Sequence, residues 1–293
     1  MPELPEVETI ARGLASRVTG DVIESVWLGS KPEPLKSSAA EIAATLESRR
    51  IAAVRRVGKH IVFDLERDRV GRAPAAARKA SRRRAVAGRG PRRTSSGAQW
   101  IVHLGMTGRM VVCQPESEVA KHTHAVLRLA SGRELRFVDP RRFGRLSVAH
   151  GFEASGSEPL EIKRERFLSL FRGRKTPIKS ALLNQKLLRG VGNIYADESL
   201  FRAGVRPRRR AASLTRENLR RLYDAVQEVL KEAIDLGGSS VSDYVDADGE
   251  EGFFQLQHRV YGREGEPCLV CKAFIKRVVI AGRSAHYCPK CQQ

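Results

Sequence analysis

The chain has 293 residues, 41% of them hydrophobic, which is enough for about two domains with real cores. Its formal net charge is +20, an excess that points to a polyanionic partner, with nucleic acid first and anionic membrane second. No apolar run reaches the ~18 residues of a membrane span, and the acidic, proline-broken start lacks the regions of a secretory leader, so a cytoplasmic, nucleoid-associated protein is expected.

Met1-Pro2-Glu3-Leu4-Pro5-Glu6 puts two prolines and two acids into six residues. Such a start either only opens a helix or is itself used. Val7, Ile10, Leu14 and Val18 recur at helical spacing, so a helix is expected over 5–18. Pro5 suits its first turn, and Glu6 and Glu8 suit the positive end of its dipole. Short strand-like segments follow at 22–27, 51–57, 60–65, 100–104, 110–113, 125–129, 134–138 and 145–148. Eight short strands separated by turns suggest a sandwich or barrel. Residues 67–93 interrupt them with eleven Lys/Arg and one acid, Asp68, and no apolar periodicity. They read as a disordered basic insertion, or as a solvated low-complexity one without a role.

After 158 the pattern turns helical, over 164–172, 178–188, 196–203 and 215–236. Ser213 to Glu217 offer an N-cap for the longest helix, and Gly237-Gly238 stop it. The domain boundary is expected within 151–159, where Gly and Ser cluster.

Five cysteines are present, Cys113 alone and four near the end. Cys268, Cys271, Cys288 and Cys291 form C-x2-C-x16-C-x2-C, the spacing of a tetrahedral zinc site rather than of two disulfides. Four protein ligands leave no open position, so one structural Zn2+ is expected. Segments 274–280 and 284–287 alternate like a hairpin that needs the metal to hold together. Its turn presents Arg283 beside Lys276 and Arg277, a basic tip suited to phosphate.

Several segments in order resemble the bacterial formamidopyrimidine-DNA glycosylases (8-oxoguanine DNA glycosylase / AP lyase). They are PELPEVE at 2–8, HLGMTG at 103–108, DPRRFG at 139–144, GVGNIYADESLF at 190–201, VYGREGEPC at 260–268 and the cysteine cluster. The resemblance implies an α+β fold of two domains. Residues 1–150 would form an N-terminal antiparallel β-sandwich with an N-terminal helix. Residues 158–257 would form a helical, helix-two-turns-helix DNA-binding domain, and 258–293 a zinc-finger β-hairpin. Double-stranded DNA containing oxidised bases or abasic sites would lie across the cleft, bound by a monomer.

With Met1 removed, Pro2 would carry a free secondary amine. Such a group titrates near pH 8 and is partly neutral at pH 7. It can attack the sugar C1′, displace the damaged base and leave a cationic iminium, the electron sink for strand cleavage. Glu3 would move protons on the sugar or the leaving base. Glu6 would order the site or simply favour the helix start. The resemblance further implies that Lys59 reaches the cleft and assists elimination. It has Arg283 contact the phosphate beside the lesion. Met106, Arg141 and Phe143 would fill the stack vacated by a flipped base. His122, Arg174 and Asn193 match positions near DNA phosphates. Ser242 stands where some relatives carry a lysine in the loop over the flipped base, which bears on lesion preference. Two other readings remain at this point: an endonuclease VIII-like glycosylase for oxidised pyrimidines, and a non-catalytic zinc DNA-binding protein.

Overall fold

The computed structural model of the chain describes residues 1–67, 97–240 and 252–293. The basic insertion read over 67–93 lies outside them, Arg67 excepted, as does Ser242. The first element, α1 (Leu4–Val18), has Pro5 in its opening turn, and Val7, Ile10, Leu14 and Val18 are buried as their spacing demands.

Eight antiparallel strands follow: β1 (Val22–Leu28), β2 (Arg49–Val57), β3 (His60–Arg67), β4 (Ala98–His103), β5 (Arg109–Cys113), β6 (Thr123–Leu129), β7 (Glu134–Val138) and β8 (Arg145–His150). They pair in the order β5-β7-β6-β1-β2-β3-β4-β8. Only Val22↔Arg50 and Ile23↔Arg49 join the two halves of this ladder. Phe63, Trp100 and Leu146 from one half share a buried cluster with Leu127, Leu135 and Phe137 from the other, as the two layers of a sandwich do. One helix was not expected: α2 (Ala39–Leu46) starts where Ser38 Oγ accepts the Glu41 N–H at 3.2 Å.

The second half holds α3 (Arg164–Phe171), α4 (Ile178–Leu182), α5 (Asn193–Arg202) and α6 (Arg216–Asp235) around a separate core. Helix α4 is shorter than the periodicity over 178–188 predicts. Asn184 Oδ1 accepts the Lys186 N–H at 3.0 Å, and Gln185 Oε1 accepts the Gly190 N–H at 2.8 Å. These side-chain bonds give the backbone two turns in place of a helix. Helix α5 begins three residues earlier than expected, at Asn193. Thr215 caps α6, its hydroxyl accepting the Asn218 N–H at 3.1 Å.

Helix α1 belongs to both halves. Leu4 lies in the helical core, whereas Val7 onward lies in the sandwich core. Beside it, the nearly buried Arg56 guanidinium holds Glu8 at 2.7 Å and Glu158 at 2.8 Å, and Arg189 holds Glu158 at 3.2 Å. The terminal hairpin, β9 (Lys276–Ile280) and β10 (Arg283–Tyr287), docks on α4 and α5 through a fully buried ion pair. Lys179 Nζ lies 2.6 Å from Asp197 Oδ1 and donates to the Ser284 carbonyl. Asp197 Oδ2 accepts the His286 N–H at 2.9 Å. The adjacent Glu198 accepts the backbone N–H groups of Arg259, Val260 and Tyr261 at 2.8 to 3.0 Å.

Asp197→Ala strands the Lys179 charge in a dry interior, and the loss of one partner of such a pair costs about 3–5 kcal/mol. Urea unfolding of the variant should show a loss of that size. A loss below about 1 kcal/mol would mean that the hairpin is held by something else.

Candidate active site and nucleic-acid interface

The N-terminal turn is built around two buried carboxyls. Glu3 is the N-cap of α1, and its backbone N–H donates to Glu6 Oε2 at 2.7 Å. Glu6 Oε1 accepts the Ser239 N–H at 2.9 Å and the Tyr195 hydroxyl. Glu3 Oε1 accepts the Ile194 N–H at 3.3 Å in the first turn of α5, while Glu3 Oε2 is buried with no hydrogen-bond partner. Two glycines make the room. A Cβ at Gly192 would overlap the Glu3 carboxyl carbon, and one at Gly238, whose φ is +86°, would lie 3.0 Å from Glu6 Cγ. The start of α5 was expected to meet a phosphate. In this structure the Glu3 carboxyl group stands at that helix end.

Glu3 lines a cleft of about 620 Å³ between the two halves, together with Met1, Lys59, His103, Met106, Asn193, Tyr261 and Arg283. Pro2 is buried, and its chain neighbours Met1 and Glu3 line the cleft. Lys59 occupies the two-residue turn between β2 and β3. Arg283 is the first residue of β10, just past a turn in which Ala281 (φ 47°) and Gly282 (φ 75°) are both left-handed, the two-residue hairpin geometry. Thus Glu3, Lys59, Met106, Asn193 and Arg283, far apart in sequence, share one cleft.

Burial pushes the Glu3 carboxyl from its ordinary 4.5 up to about 7, against the opposing pull of Lys59. Burial likewise holds the Glu6 carboxyl high. Lys59 is pushed down by burial and by Arg283, with Glu3 and Glu6 opposing. His103, buried beside His60, is lowered to about 4 and stays neutral at pH 7.

A second group of expected residues sits on two loops packed back to back, 104–108 and 139–144. Asp139, fully buried, holds both. It accepts the Thr107 hydroxyl at 2.6 Å and the Gly144 N–H at 2.7 Å. The loops present Met106 (41% exposed) and Phe143 (53% exposed), with the Arg141 guanidinium stacked 4.8 Å above the Phe143 ring. Large apolar side chains displayed at loop tips are suited to entering a base stack. His122 is exposed at the edge of this loop pair, where its carbonyl accepts the Asp139 N–H at 2.9 Å. Asn193 Nδ2 donates to Ser284 Oγ at 3.2 Å, which joins α5 to the hairpin. Arg174 lies outside the cleft, on the loop between α3 and α4, with its Nε donating to the Leu170 carbonyl.

Sequence reasoning missed Asp139, Lys179, Asp197 and Glu198. The signal for the last two was present: adjacent acids flanked by apolar residues in a strongly basic chain.

The four cysteines fit a zinc ion. Their sulfurs all lie within 4.8 Å of one another, with Cys271 and Cys288 at 3.4 Å and Cys268 and Cys291 at 3.9 Å. Four ligands at ~2.3 Å from a tetrahedral zinc stand ~3.8 Å apart, whereas a disulfide needs ~2 Å. The Ala273 backbone N–H helps bring the Cys271 thiol down to about 7.

Residues 1–146 match the formamidopyrimidine-DNA glycosylase N-terminal domain, and 156–245 match the formamidopyrimidine-DNA glycosylase H2TH domain. Residues 265–293 match the zinc finger found in FPG and IleRS. The chain is 43% identical over 303 residues to the formamidopyrimidine-DNA glycosylase of Solibacter usitatus (strain Ellin6076), covering 100% of both. It is 41% identical over 308 residues to that of Desulfitobacterium hafniense (strain DSM 10664 / DCB-2), again 100% of both. Among solved structures, the MutM (Fpg) protein of Thermus thermophilus has a TM-score of 0.80 at 41% identity, covering 99% of this chain and 98% of that one. Lactococcus lactis Fpg in complex with DNA containing an abasic site has a TM-score of 0.83 at 30% identity, covering 99% of each. The chain belongs to the formamidopyrimidine-DNA glycosylase family, DNA glycosylases that excise damaged bases. Among the described residues, no helix is long and apolar enough to cross a membrane.

Two expectations follow from this geometry. Between pH 4.5 and 7 the folded protein keeps a Glu3 proton that the unfolded chain has lost, so stability falls as pH rises through that window. Glu3→Gln removes this dependence. Its stability relative to the parent should rise by on the order of 3 kcal/mol across the window. A difference that stays flat with pH would mean that the carboxyl is ionised throughout. The second concerns the metal: Cys268→Ser or chelation should release one zinc and abolish the order of the 265–293 segment. Metal analysis with amide exchange on that segment reads both, and a zinc-free protein with a protected hairpin would contradict the assignment.

Proposed function

We propose that this protein is a bifunctional glycosylase and AP lyase for oxidised purines, 8-oxoguanine and formamidopyrimidines, in double-stranded DNA. It acts as a cytoplasmic, nucleoid-associated monomer. The observation that carries the reading is the Glu3 carboxyl. It is buried and holds its proton up to about pH 7, with one oxygen unpartnered, next to residue 2 and beneath a cleft that also receives Lys59 and Arg283. A binding module has no use for a proton stored there.

In this reading Met1 is removed and the Pro2 nitrogen attacks the sugar C1′ as the bond to the base breaks. Glu3 supplies the proton required by the departing base or the opening sugar. The iminium formed on Pro2 then acidifies the neighbouring sugar carbon, and the two flanking phosphates leave in successive β- and δ-eliminations. Lys59 and Arg283, cations of the cleft, offset phosphate charge and assist those steps. Met106, Arg141 and Phe143 occupy the space left by the flipped nucleotide, at a flipping cost of a few kcal/mol. His122, Arg174 and Asn193 hold phosphates on either side. Removing a positioned proton donor typically costs 10²–10⁴ in rate.

Glu3→Gln should therefore bind an 8-oxoguanine duplex as the parent does and release base at least about 100-fold more slowly in a single turnover. Borohydride added during turnover should link protein to DNA through Pro2. Retention of Met1, which makes that nitrogen a tertiary amide, should abolish both cleavage and trapping. An adduct that maps to Lys59 alone would sink the N-terminal mechanism. Faster cleavage of thymine-glycol than of 8-oxoguanine duplexes would replace the purine reading with the pyrimidine one.

A further inference from the structure

The cleft does not account for the strongest concentration of positive charge on the helical half. Between α5 and α6 runs Arg206-Pro207-Arg208-Arg209-Arg210. This stretch opens with a turn, in which the Arg209 N–H donates to the Arg206 carbonyl at 3.1 Å, and then pairs with the loop between α3 and α4. The Ile178 N–H donates to the Arg209 carbonyl at 2.8 Å, and Pro177 bridges Arg210. Further along, the Ala211 N–H donates to the Thr176 carbonyl at 3.0 Å, and the Ala212 N–H to the Arg174 carbonyl at 2.7 Å. Pro207 and Ala211 are buried, while Arg208 and Arg210 face solvent. On the partner loop Arg172, Arg174 and Lys175 are exposed as well.

Among the described residues, none of these five cations has a carboxylate within ion-pair distance, although the chain pairs many others. A solvated surface of mixed sign would interleave acids here. The ridge is also rigid, because paired backbone rather than a loose tail carries it.

Its position relates it to the cleft. The Arg208 guanidinium reaches the Val279 carbonyl on β9 at 3.5 Å, and the same hairpin turns at Ile280 and Ala281 to line the cleft with Arg283. On the other side the ridge continues into α4, followed by Leu183 and Asn184 on the cleft wall. The ridge and the cleft are thus two stations on one surface, joined by the hairpin and α4.

We propose that Arg208 and Arg210, with Arg172 and Lys175 beside Arg174, form an accessory phosphate-binding ridge. It takes one arm of duplex DNA beyond the segment held in the cleft. The inference rests on the DNA-binding reading of the cleft and adds to it a second contact region on one side of the lesion. Phosphate neutralisation there releases counterions, and each contact contributes about 0.9 to the slope of log affinity against log salt.

The test uses the full-length zinc-loaded protein and duplexes with a central abasic-site analogue. One arm or the other is lengthened by about one helical turn, about 10 base pairs. Lengthening one specific arm should tighten binding and steepen the salt slope. The double variant Arg208→Ser/Arg210→Ser should lose that gain and bind the long duplex with a slope smaller by about 2. Arg208→Lys/Arg210→Lys should restore it, and thermal unfolding should be unchanged in both, since the side chains are exposed. The ridge is overturned if neither arm tightens binding of the parent, or if the serine variant keeps the full gain. Single-turnover base release from the short duplex is followed in the same proteins. Its absence in the parent would sink the glycosylase reading, while the arm-length series still reports on the ridge alone.

Discussion

A carboxyl buried away from water must be compensated by hydrogen bonds or kept neutral, because an isolated buried charge is prohibitively costly. Glu6 meets this constraint with one donor from its own turn, the Glu3 N–H, and two from distant segments, the Tyr195 hydroxyl on α5 and the Ser239 N–H just past α6. None of the three can move without exposing an unsatisfied polar group. The constraint therefore fixes the start of the chain against the helical half, and Glu3 is delivered to the first turn of α5 as a result. The high pKa of Glu3 is a consequence of this burial rather than of any single neighbour.

Helix α5 is the other party to nearly every such contact. In ten residues it offers Ile194 to Glu3, Tyr195 to Glu6, Asp197 to the zinc hairpin and Glu198 to the segment that leads into it. Its outer turns pack apolar side chains in the helical core, as an ordinary amphipathic helix would. Its polar residues face inward too, so it is buried nearly all round. The acid at residue 3 and the arginine at residue 283 are brought together through this one helix, and the zinc stiffens the end that bears the arginine.

Much of this was legible in the sequence. Strand periodicity located all eight sandwich strands, and the cysteine spacing located the metal centre and its hairpin. The motifs at 2–8, 103–108 and 139–144 named Glu3, Met106, Arg141 and Phe143, which the structure displays in the cleft or on the loops beside it. What escaped was everything carried by side-chain bonds over long separations. The run at 178–188 has helical spacing, yet the Asn184 and Gln185 side chains turn the chain by accepting the backbone N–H groups of Lys186 and Gly190, which a periodicity count does not weigh. Helix α2 was missed although Ser38 and Glu41 are spaced as a capping pair, because the helix is short. Asp139 was hidden inside a motif whose arginines and phenylalanine drew the attention. Lys179 was invisible because an apolar helical face gives no sign that a buried cation has a partner eighteen residues away.

The partners of the first turn lie 189, 191 and 233 residues along the chain from it. At translation rates of about 5–20 residues per second, roughly 10–50 s separate the emergence of Glu3 from that of Ser239. Through that interval the sandwich half has its own core, while Glu3 and Glu6 remain in water. A solvated glutamate is ionised at neutral pH. The nascent chain therefore holds no proton at residue 3, and the site gains its acid only when the last third of the protein closes over it. Protonation of residue 3 is thus timed by chain length, and an unfinished copy carries an ionised Glu3 however well its first half has folded.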